Sequence, residues 1–356
     1  MKKILVVDDS ALMRRVLCDI INSDKRFQVQ DRAVNGKEAL ELLSRKSYDA
    51  VVLDVNMPQM NGLELLEELR KRKISAKVMM ASTDTREGAK TTMDALELGA
   101  LDFVHKPNNA MDCRDENFKD RMLNVLSVVA DSNPPVFTKA ITREEVKTSK
   151  KIIELVGRHA SAVSGNKIVA LASSTGGPKA LQSVVPRLPK NLKAPVVIVQ
   201  HMPAGFTASL AERLDTLSEV RVKEAAEGDM LEAGTVYIAM GGKHLNIRPS
   251  GGRYTIRYTD QPTREGVRPC ANYMYESLQD SKFDQVVCVV MTGMGADGTE
   301  GIKNLKARKK IHVIAQEAST CAVYGMPKSI VTSGLSDQIV PLDQIAQEII
   351  MNVGVK

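Results

Sequence analysis

The chain has 356 residues, which at about 150 residues per domain predicts two or three domains. Hydrophobic residues make up 43% and charged residues 26%, as in an ordinary water-soluble globular protein. The net charge of +6 permits an acidic partner but does not indicate nucleic acid. Aromatic residues are only 4% and tryptophan is absent, so we do not expect a base-stacking surface.

The cysteines exclude two classes of protein. Their number is odd and no Cys-x-x-Cys pair occurs, so neither a disulfide framework nor a zinc site is expected, and the histidines lack metal-ligand spacing. The N-terminus runs directly into an apolar strand, and no long apolar segment follows. We therefore expect a cytoplasmic protein without a signal peptide and without membrane insertion.

The first part of the chain alternates strand and helix patterns, which favours a doubly wound parallel α/β sheet. The predicted strands are Lys3–Val7, Val29–Ala33, Ala50–Leu53, Lys77–Ala81 and Leu101–Val104. The predicted helices are Ala11–Asn22, Gly36–Arg45, Gly62–Lys71, Glu87–Leu98 and Glu116–Val129.

The pattern breaks at about Asp131, where Ser132-Asn133-Pro134-Pro135 follows. Residues 139–167 carry seven Lys/Arg against three Glu, a composition that predicts a linker, partly helical around Lys150–Arg158.

A second α/β pattern then begins. Its predicted strands are Ile168–Ala172, Val196–Gln200, Thr235–Ala239, Val286–Met291 and Ile311–Ala315, with Arg253–Tyr258 as an antiparallel edge hairpin strand. Helices are predicted after Pro178, after Phe206 and around Cys270–Gln279.

Carboxylates follow two buried strands of the first domain. Asp8 and Asp9 come directly after the first strand, and Asp54 closes the run Ala50-Val51-Val52-Leu53. Ligands bind beyond the carboxyl ends of parallel strands, so these three acids are expected to converge. Their mutual repulsion and their oxygen donors favour Mg²⁺.

Ser82-Thr83 follows the fourth predicted strand, and Lys106-Pro107 follows the fifth. Both segments are therefore expected at the same edge of the sheet as Asp54. This part of the chain resembles the flavodoxin-like receiver domain of bacterial two-component response regulators. The stretches that carry the resemblance are Val6 to Ser10, Leu53 to Pro58, Gly62 and Asp102 to Pro107. The resemblance implies that Asp54 accepts phosphate from a histidine kinase. The implied supporting residues are a Mg²⁺ site of Asp8, Asp9, Asp54 and Asn56, the switch hydroxyl Ser82, the switch aromatic Phe103 and the phosphate-pairing Lys106.

The second domain opens with a buried strand that runs into Ser173-Ser174-Thr175-Gly176-Gly177-Pro178. Such a turn exposes a hydroxyl at a helix N-terminus, which suits either phosphate binding or a serine nucleophile with its oxyanion. The spacing matches neither the P-loop nor the Gly-x-Ser-x-Gly elbow. A tight strand-to-helix corner without chemistry is the competing interpretation.

Two more strand ends favour the nucleophile. Val196–Gln200 ends at His201, and Val286–Met291 ends in the turn Thr292 to Gly298, which contains Asp297. A serine needs a base to take its proton, and the base needs a carboxylate to orient it. The three strands thus bring Ser, His and Asp to one sheet edge, and the turn at Gly293-Met294-Gly295 offers a backbone N–H to an oxyanion.

These stretches resemble the catalytic domain of the chemotaxis protein-glutamate methylesterases. The matching motifs are Ser174 to Gly177, Gln200 to Pro203, Gly205-Phe206-Thr207, Gly293 to Gly298 and Gly325-Met326-Pro327. The resemblance implies Ser174 as nucleophile, His201 as base, Asp297 as orienting acid, Met294 as oxyanion donor and Thr175 as a backbone neighbour of the nucleophile, with no cofactor for the hydrolase. The chain departs from the family at Ala172, at Met240-Gly241-Gly242 and at Asn272. We interpret the first as tightening the nucleophile turn and the others as altering substrate-side contacts.

The sequence therefore predicts two doubly wound α/β domains and a linker: a receiver domain over 1–125, the linker over 126–165 and a catalytic domain with a parallel sheet over 166–356. The expected function is phosphorylation-activated hydrolysis of glutamate γ-methyl esters on methylated chemoreceptors, with deamidation of receptor glutamines. A histidine kinase and the receptors are the expected partners, and nucleic acid is not. Two alternatives stay open, a response regulator whose second domain binds nucleic acid and a non-catalytic scaffold that serves as a phosphate sink.

Overall fold

The structure is a computed structural model, and it describes residues 1–82, 86–107, 109, 112–134 and 164–356. The chain divides into two compact units, Met1–Thr138 and Lys139–Lys356. Among the described helices, none has the length and apolar character required to cross a bilayer.

The first unit is a five-stranded parallel sheet with strand order β2-β1-β3-β4-β5. The strands are β1 Lys2–Val7, β2 Phe27–Ala33, β3 Ala50–Asp54, β4 Val78–Ser82 and β5 Asp102–His105. The helices are α1 Ala11–Asn22, α2 Gly36–Arg45, α3 Gly62–Lys71, α4 Arg86–Leu98 and α5 Glu116–Asp131. The chain changes direction between β1 and β3, and the acids follow these two neighbouring strands.

Local sequence fixes the loops that carry the acids. The Ser10 hydroxyl caps α1 by accepting a hydrogen bond from the Met13 N–H at 3.3 Å, so the helix starts directly after Asp8 and Asp9. A Cβ at position 62 would lie 2.4 Å from the Asp54 carbonyl oxygen, so only glycine lets α3 start this close to the end of β3.

The second unit is a seven-stranded parallel sheet with strand order β14-β13-β12-β6-β7-β9-β8. Its strands are β6 Lys167–Ser173, β7 Val196–Gln200, β8 Arg221–Glu224, β9 Thr235–Ile238, β12 Gln285–Val290, β13 Ile311–Gln316 and β14 Gln338–Val340. The strands β10 His244–Ser250 and β11 Arg253–Thr259 form a separate hairpin. The helices are α6 Gly177–Val184, α7 Phe206–Leu217, α8 Ala271–Glu276, α9 Thr299–Lys306, α10 Met326–Thr332 and α11 Ile345–Val353.

The topology of this sheet creates a binding crevice. From β6 the chain builds one side of the sheet through β7 and β9, and it later builds the other side through β12, β13 and β14. The direction therefore reverses between the neighbours β6 and β12. Ligands bind at such switch points, beyond the carboxyl ends of the strands.

The predicted fold class, two doubly wound α/β domains, is confirmed. The antiparallel hairpin strand predicted at Arg253–Tyr258 is confirmed as β11, which pairs with β10 in a two-stranded sheet separate from the seven-stranded one. The short outer strands β8 and β14 were not predicted. Helix α5 continues to Asp131, into the segment assigned to the linker. Residues 135–163 of that segment, including the expected helix at Lys150–Arg158, lie outside the described residues, and the domain boundaries stay a prediction.

Candidate active site and phosphoacceptor site

The three predicted acids of the first unit meet at one point. One carboxylate oxygen from each of Asp8, Asp9 and Asp54 lies within 4.8 Å of the others. Asp8 and Asp54 are buried, and Asp9 is exposed. Lys106 Nζ donates to Asp54 Oδ1 at 2.6 Å and to Asp8 Oδ2 at 3.0 Å. The three carboxylates of Asp8, Asp9 and Asp54 offer only oxygen ligands, which Mg²⁺ prefers, so these three residues fit that ion.

The electrostatics of this cluster follow from its burial. Burial raises the pKa of Asp54, and the Lys106 ammonium only partly offsets that effect. Burial also works against the charge of Lys106, but attraction to Asp54 and Asp8 outweighs it and raises the pKa of the lysine. Lys106 therefore stays charged at neutral pH, as a partner for anions at this edge.

The remaining predicted residues of this site lie around the cluster. Asn56 is exposed, two residues beyond Asp54. Phe103 is buried on β5, with 7% of its surface exposed. Ser82 closes β4, where its backbone pairs with His105; its side chain and the neighbouring residues 83–85 are outside the description.

The turn after β6 presents Ser174 at the switch point of the second sheet. Gly176 adopts φ +74°, and the Ser174 carbonyl accepts a hydrogen bond from the Gly177 N–H at 2.7 Å. The Ser174 N–H donates to the carbonyl of Thr292, beyond β12, at 3.0 Å. A Cβ on Gly176 would lie 2.6 Å from the Ala322 side chain, so both space and backbone conformation require glycine in this turn.

His201 and Asp297 form a hydrogen-bonded pair. His201 Nε2 lies 2.8 Å from Asp297 Oδ2, and the side chains are 9% and 2% exposed. Burial alone would raise the pKa of Asp297, but the hydrogen bonds from His201, Ala271 and Cys270 outweigh it and lower the pKa. Because the carboxylate is ionised and can only accept, Nε2 carries the proton, and Nδ1 is the nitrogen left as a base.

Asp297 is held from behind by the start of α8. Its Oδ2 also accepts the Ala271 N–H at 2.6 Å, while Oδ1 accepts the Asn272 N–H at 3.0 Å and the Cys270 thiol at 3.1 Å. Burial, with the charge of Asp297, raises the pKa of Cys270 to about 12, so this group donates as a thiol. Together with the bond to His201, these hydrogen bonds fix the orientation of the carboxylate.

Gln200 links the serine and histidine loops. Its side chain is buried at the end of β7, and Nε2 donates to the Ser174 carbonyl at 2.9 Å and to the His201 carbonyl at 3.2 Å. Its Oε1 accepts the Ser173 hydroxyl at 2.7 Å. Sequence reasoning recognised Gln200 only as part of a motif. A polar residue closing an otherwise apolar buried strand is the signal that marks such a role.

The structure brings the predicted catalytic residues to one edge, but the contacts are not all formed. Within the described residues, no hydrogen bond joins Ser174 Oγ to His201, and the hydrogen bond between nucleophile and base in proteins without substrate is often long. Thr175 is buried, and its carbonyl accepts the Thr292 hydroxyl at 3.0 Å. Met294 is 51% exposed, and in this part of the chain no acceptor takes its backbone N–H.

The three positions that were expected to depart from the family pattern lie in different places. Ala172 is fully buried on β6, between Val199 and Val290. A Cβ on Gly241 would lie 2.3 Å from the Pro203 carbonyl oxygen, so this glycine supports the loop after His201.

Asn272 corrects an expectation. It was interpreted as a substrate-side residue, but it is fully buried behind Asp297. Its Oδ1 accepts the N–H groups of Gly298 and Gly301 at 3.1 and 2.6 Å, and its own N–H donates to Asp297. The residue therefore joins the start of α8 to the start of α9 and does not line the substrate side.

Comparisons with known proteins find relatives of both units. Residues 169–349 match the CheB methylesterase family model, and residues 4–116 match the response regulator receiver domain model. The chain is 42% identical over 352 residues to a protein-glutamate methylesterase/protein-glutamine glutaminase of Geobacillus kaustophilus, covering 99% of both chains. It is 41% identical over 353 residues to a protein of the same name from Pyrococcus abyssi, covering 99% of this chain and 93% of the relative.

A solved structure extends the likeness to three dimensions. The CheB methylesterase catalytic domain of Thermotoga maritima aligns with a TM-score of 0.51 and 42% identity. The alignment covers 53% of this chain and 98% of that domain.

Proposed function

Because the chain belongs to the CheB methylesterase family and carries a response regulator receiver domain, we propose that it is a phosphorylation-activated protein-glutamate methylesterase and protein-glutamine glutaminase. Its substrates are the methylated glutamates and specific glutamines of chemoreceptors, and the reaction takes place in the cytoplasm. The pair of His201 and Asp297 beside the Ser174 turn is the observation that carries this proposal.

The reaction begins with proton transfer. His201 Nδ1 takes the proton of Ser174 Oγ while the oxygen attacks the γ-carbonyl carbon of the receptor glutamate ester. The carbonyl oxygen becomes negative and is stabilised by the Met294 N–H. The tetrahedral intermediate collapses, the C–O bond to the methoxy group breaks, and the imidazolium returns the proton, so that methanol leaves and an acyl-enzyme remains.

Water completes the cycle by the same route. His201 Nδ1 takes a proton from water, the hydroxide attacks the acyl carbon, and Ser174 leaves with the proton, which releases a glutamate carboxylate. With glutamine the leaving group is ammonia in place of methanol. Asp297 stays ionised throughout and stabilises the imidazolium that forms in both halves.

The receiver site regulates this reaction in the proposal. Mg²⁺, when bound by Asp8, Asp9, Asp54 and Asn56, would neutralise charge on the incoming phosphoryl group. Asp54 accepts the phosphoryl group from a histidine kinase, and the ammonium of Lys106, already in contact with Asp54, pairs with it. Ser82 and Phe103 are the proposed switch residues that respond to the new charge.

A serine substitution tests the hydrolase. Ser174→Ala is expected to abolish methanol release from methylated receptor membranes while leaving the fold intact. Ser183→Ala is the matched control, since Ser183 lies near the end of α6, the helix that follows the nucleophile turn, and among the described residues its hydroxyl donates a hydrogen bond only to the Lys179 carbonyl, at 3.5 Å. Unchanged methanol release by Ser174→Ala would refute the triad, whereas no release by either the wild type or the variant would favour the alternative of a non-catalytic scaffold.

A second substitution tests the switch separately. Asp54→Asn is expected to keep basal hydrolysis and to lose the stimulation by a small-molecule phosphodonor with Mg²⁺. Asp19→Asn, an exposed carboxylate on α1, is the control and should still respond. Full stimulation of Asp54→Asn would show that the phosphate is accepted elsewhere.

A further inference from the structure

The peptide unit between Gly293 and Met294 is held by backbone hydrogen bonds to residues 323–326. The Gly293 carbonyl accepts two backbone hydrogen bonds, from the Gly325 N–H at 3.0 Å and from the Met326 N–H at 2.8 Å, where α10 begins. The Gly293 N–H in turn donates to the Val323 carbonyl at 3.0 Å. Residue 293 is therefore held against residues 323–326 through all its backbone polar groups.

Because the peptide bond is planar, these hydrogen bonds also fix the direction of the Met294 N–H. In a trans peptide the C=O and the following N–H point in opposite directions. The carbonyl of Gly293 faces the start of α10, so the Met294 N–H faces away from that helix. Ser174 lies next to this unit, because a Cβ on Gly293 would be 2.7 Å from the Ser174 Cβ. The Met294 N–H also has no acceptor within the described residues.

Residue 325 controls how closely α10 approaches. A Cβ there would lie 2.6 Å from the Gly293 carbonyl oxygen, 2.9 Å from the Gly295 nitrogen and 3.0 Å from the Met294 Cα. These neighbours are all backbone atoms, which cannot rotate away as a flexible side chain can. Gly325 has φ −102°, so the requirement for glycine is one of space and not of backbone conformation.

We infer that Gly325 is a positioning residue for catalysis: it allows the start of α10 to hold the Gly293 carbonyl and so aims the Met294 N–H at the developing oxyanion. This inference rests on the proposed Ser174 mechanism. It assigns the Gly325-Met326-Pro327 motif a task in the reaction that depends on its backbone N–H groups and on the space left by Gly325.

The test is Gly325→Ala in the full chain. We expect kcat to fall by about 10²- to 10³-fold, as for loss of an oxyanion donor, with KM nearly unchanged. Phosphonylation of Ser174 by a p-nitrophenyl alkylphosphonate, which places a negative oxygen at the same position, should slow by a similar factor. Titration with the same reagent counts the competent enzyme, so kcat is expressed per reactive Ser174.

Pro327→Ala is the matched control. It alters the first turn of α10 but leaves both N–H donors and the space around Gly293, so it should change the melting temperature more than kcat. Equal loss of kcat in the two variants, wild-type kcat in Gly325→Ala, or an effect on KM alone would overturn the inference.

A measurement on the wild-type chain needs no variant to fold. Phosphonylation of Ser174 should slow hydrogen exchange of the Met294 amide, while the Gly325 and Met326 amides, already bonded, should be protected before and after. An unchanged exchange rate at Met294 would overturn the inference and leave the triad standing. Failure of the reagent to label Ser174 at all would refute the triad and, with it, the inference.

Discussion

Asp297→Asn separates the orienting role of the acid from its place in the fold. The carboxylate accepts four hydrogen bonds, from His201 and Ala271 on one oxygen and from Asn272 and Cys270 on the other. An amide has one oxygen, so its NH₂ group must face one of these pairs of donors. The two orientations have different consequences for the histidine.

If the NH₂ group faces His201, only the Ala271 N–H loses its acceptor, because the imidazole can present an unprotonated Nε2. If it faces Asn272 and Cys270, both of those donors are opposed. Each unpaired buried donor costs about 1–3 kcal/mol, so the first orientation is favoured. The proton of the imidazole then moves to Nδ1, the nitrogen that is the base in the proposed mechanism.

We therefore expect Asp297→Asn to lower kcat by roughly 10⁴-fold, the magnitude known for a histidine held in the wrong tautomer, with loss of about 1–3 kcal/mol in the free energy of unfolding. Methanol release measures the rate, and urea denaturation measures the stability. Cys270→Ala, which removes one weak donor and leaves the histidine contact, should lose less than about tenfold in kcat. A kcat for Asp297→Asn within about tenfold of wild type would refute the orienting role.

The contacts in the structure support three further predictions. Gln200→Leu leaves the two carbonyls it bonds free to move, so kcat in methanol release should fall by about 10²-fold with little change in KM, and wild-type kcat would refute its bridging role. Lys106→Met should destabilise the chain by about 3–5 kcal/mol in urea denaturation at neutral pH. Burial raises the pKa of Asp54 above its usual 3.8 and Lys106 partly lowers it again, so loss of Lys106 should raise this pKa further. A raised pKa stabilises the folded state at low pH, and that stabilisation is lost as the pH rises, so the loss of stability in Lys106→Met should shrink towards pH 4. A loss of stability that does not change with pH would contradict this account. With its pKa raised to about 12, the buried Cys270 should resist iodoacetamide in the native protein at neutral pH and react after denaturation in urea, as read by mass spectrometry.

The positions of the proposed reacting groups could be predicted because parallel strands align their ends. Asp8 and Asp54 close adjacent strands of one sheet, and Ser174 and His201 follow adjacent strands of the other. Short apolar runs followed by a polar residue carry this information locally. Once the runs were recognised, the meeting of these side chains followed from the architecture.

The residues that hold the site residues in place could not be predicted in the same way. Asn272 holds Asp297 from a short helix 25 residues earlier in the chain, and nothing in its local pattern distinguishes a residue behind the acid from one that faces substrate. The pairing of α10 with Gly293 depends on two backbone N–H groups, which every non-proline residue offers. The outer strands β8 and β14 are four and three residues long, too short for a periodic pattern to mark them.

The hydrogen bonds around the site predict which of its residues can be replaced without loss of folding stability. Ser174 is held through its backbone, by the Thr292 carbonyl and by Gln200, while no hydrogen bond within the described residues involves its hydroxyl. Removing that hydroxyl therefore leaves no buried donor or acceptor unpaired, and we expect Ser174→Ala to be as stable as the wild type. Gln200 and Asp297 satisfy several buried groups each, so their loss must cost both rate and stability. The reacting group is thus replaceable without cost to the fold because its neighbours, and not the group itself, carry the structure of the site.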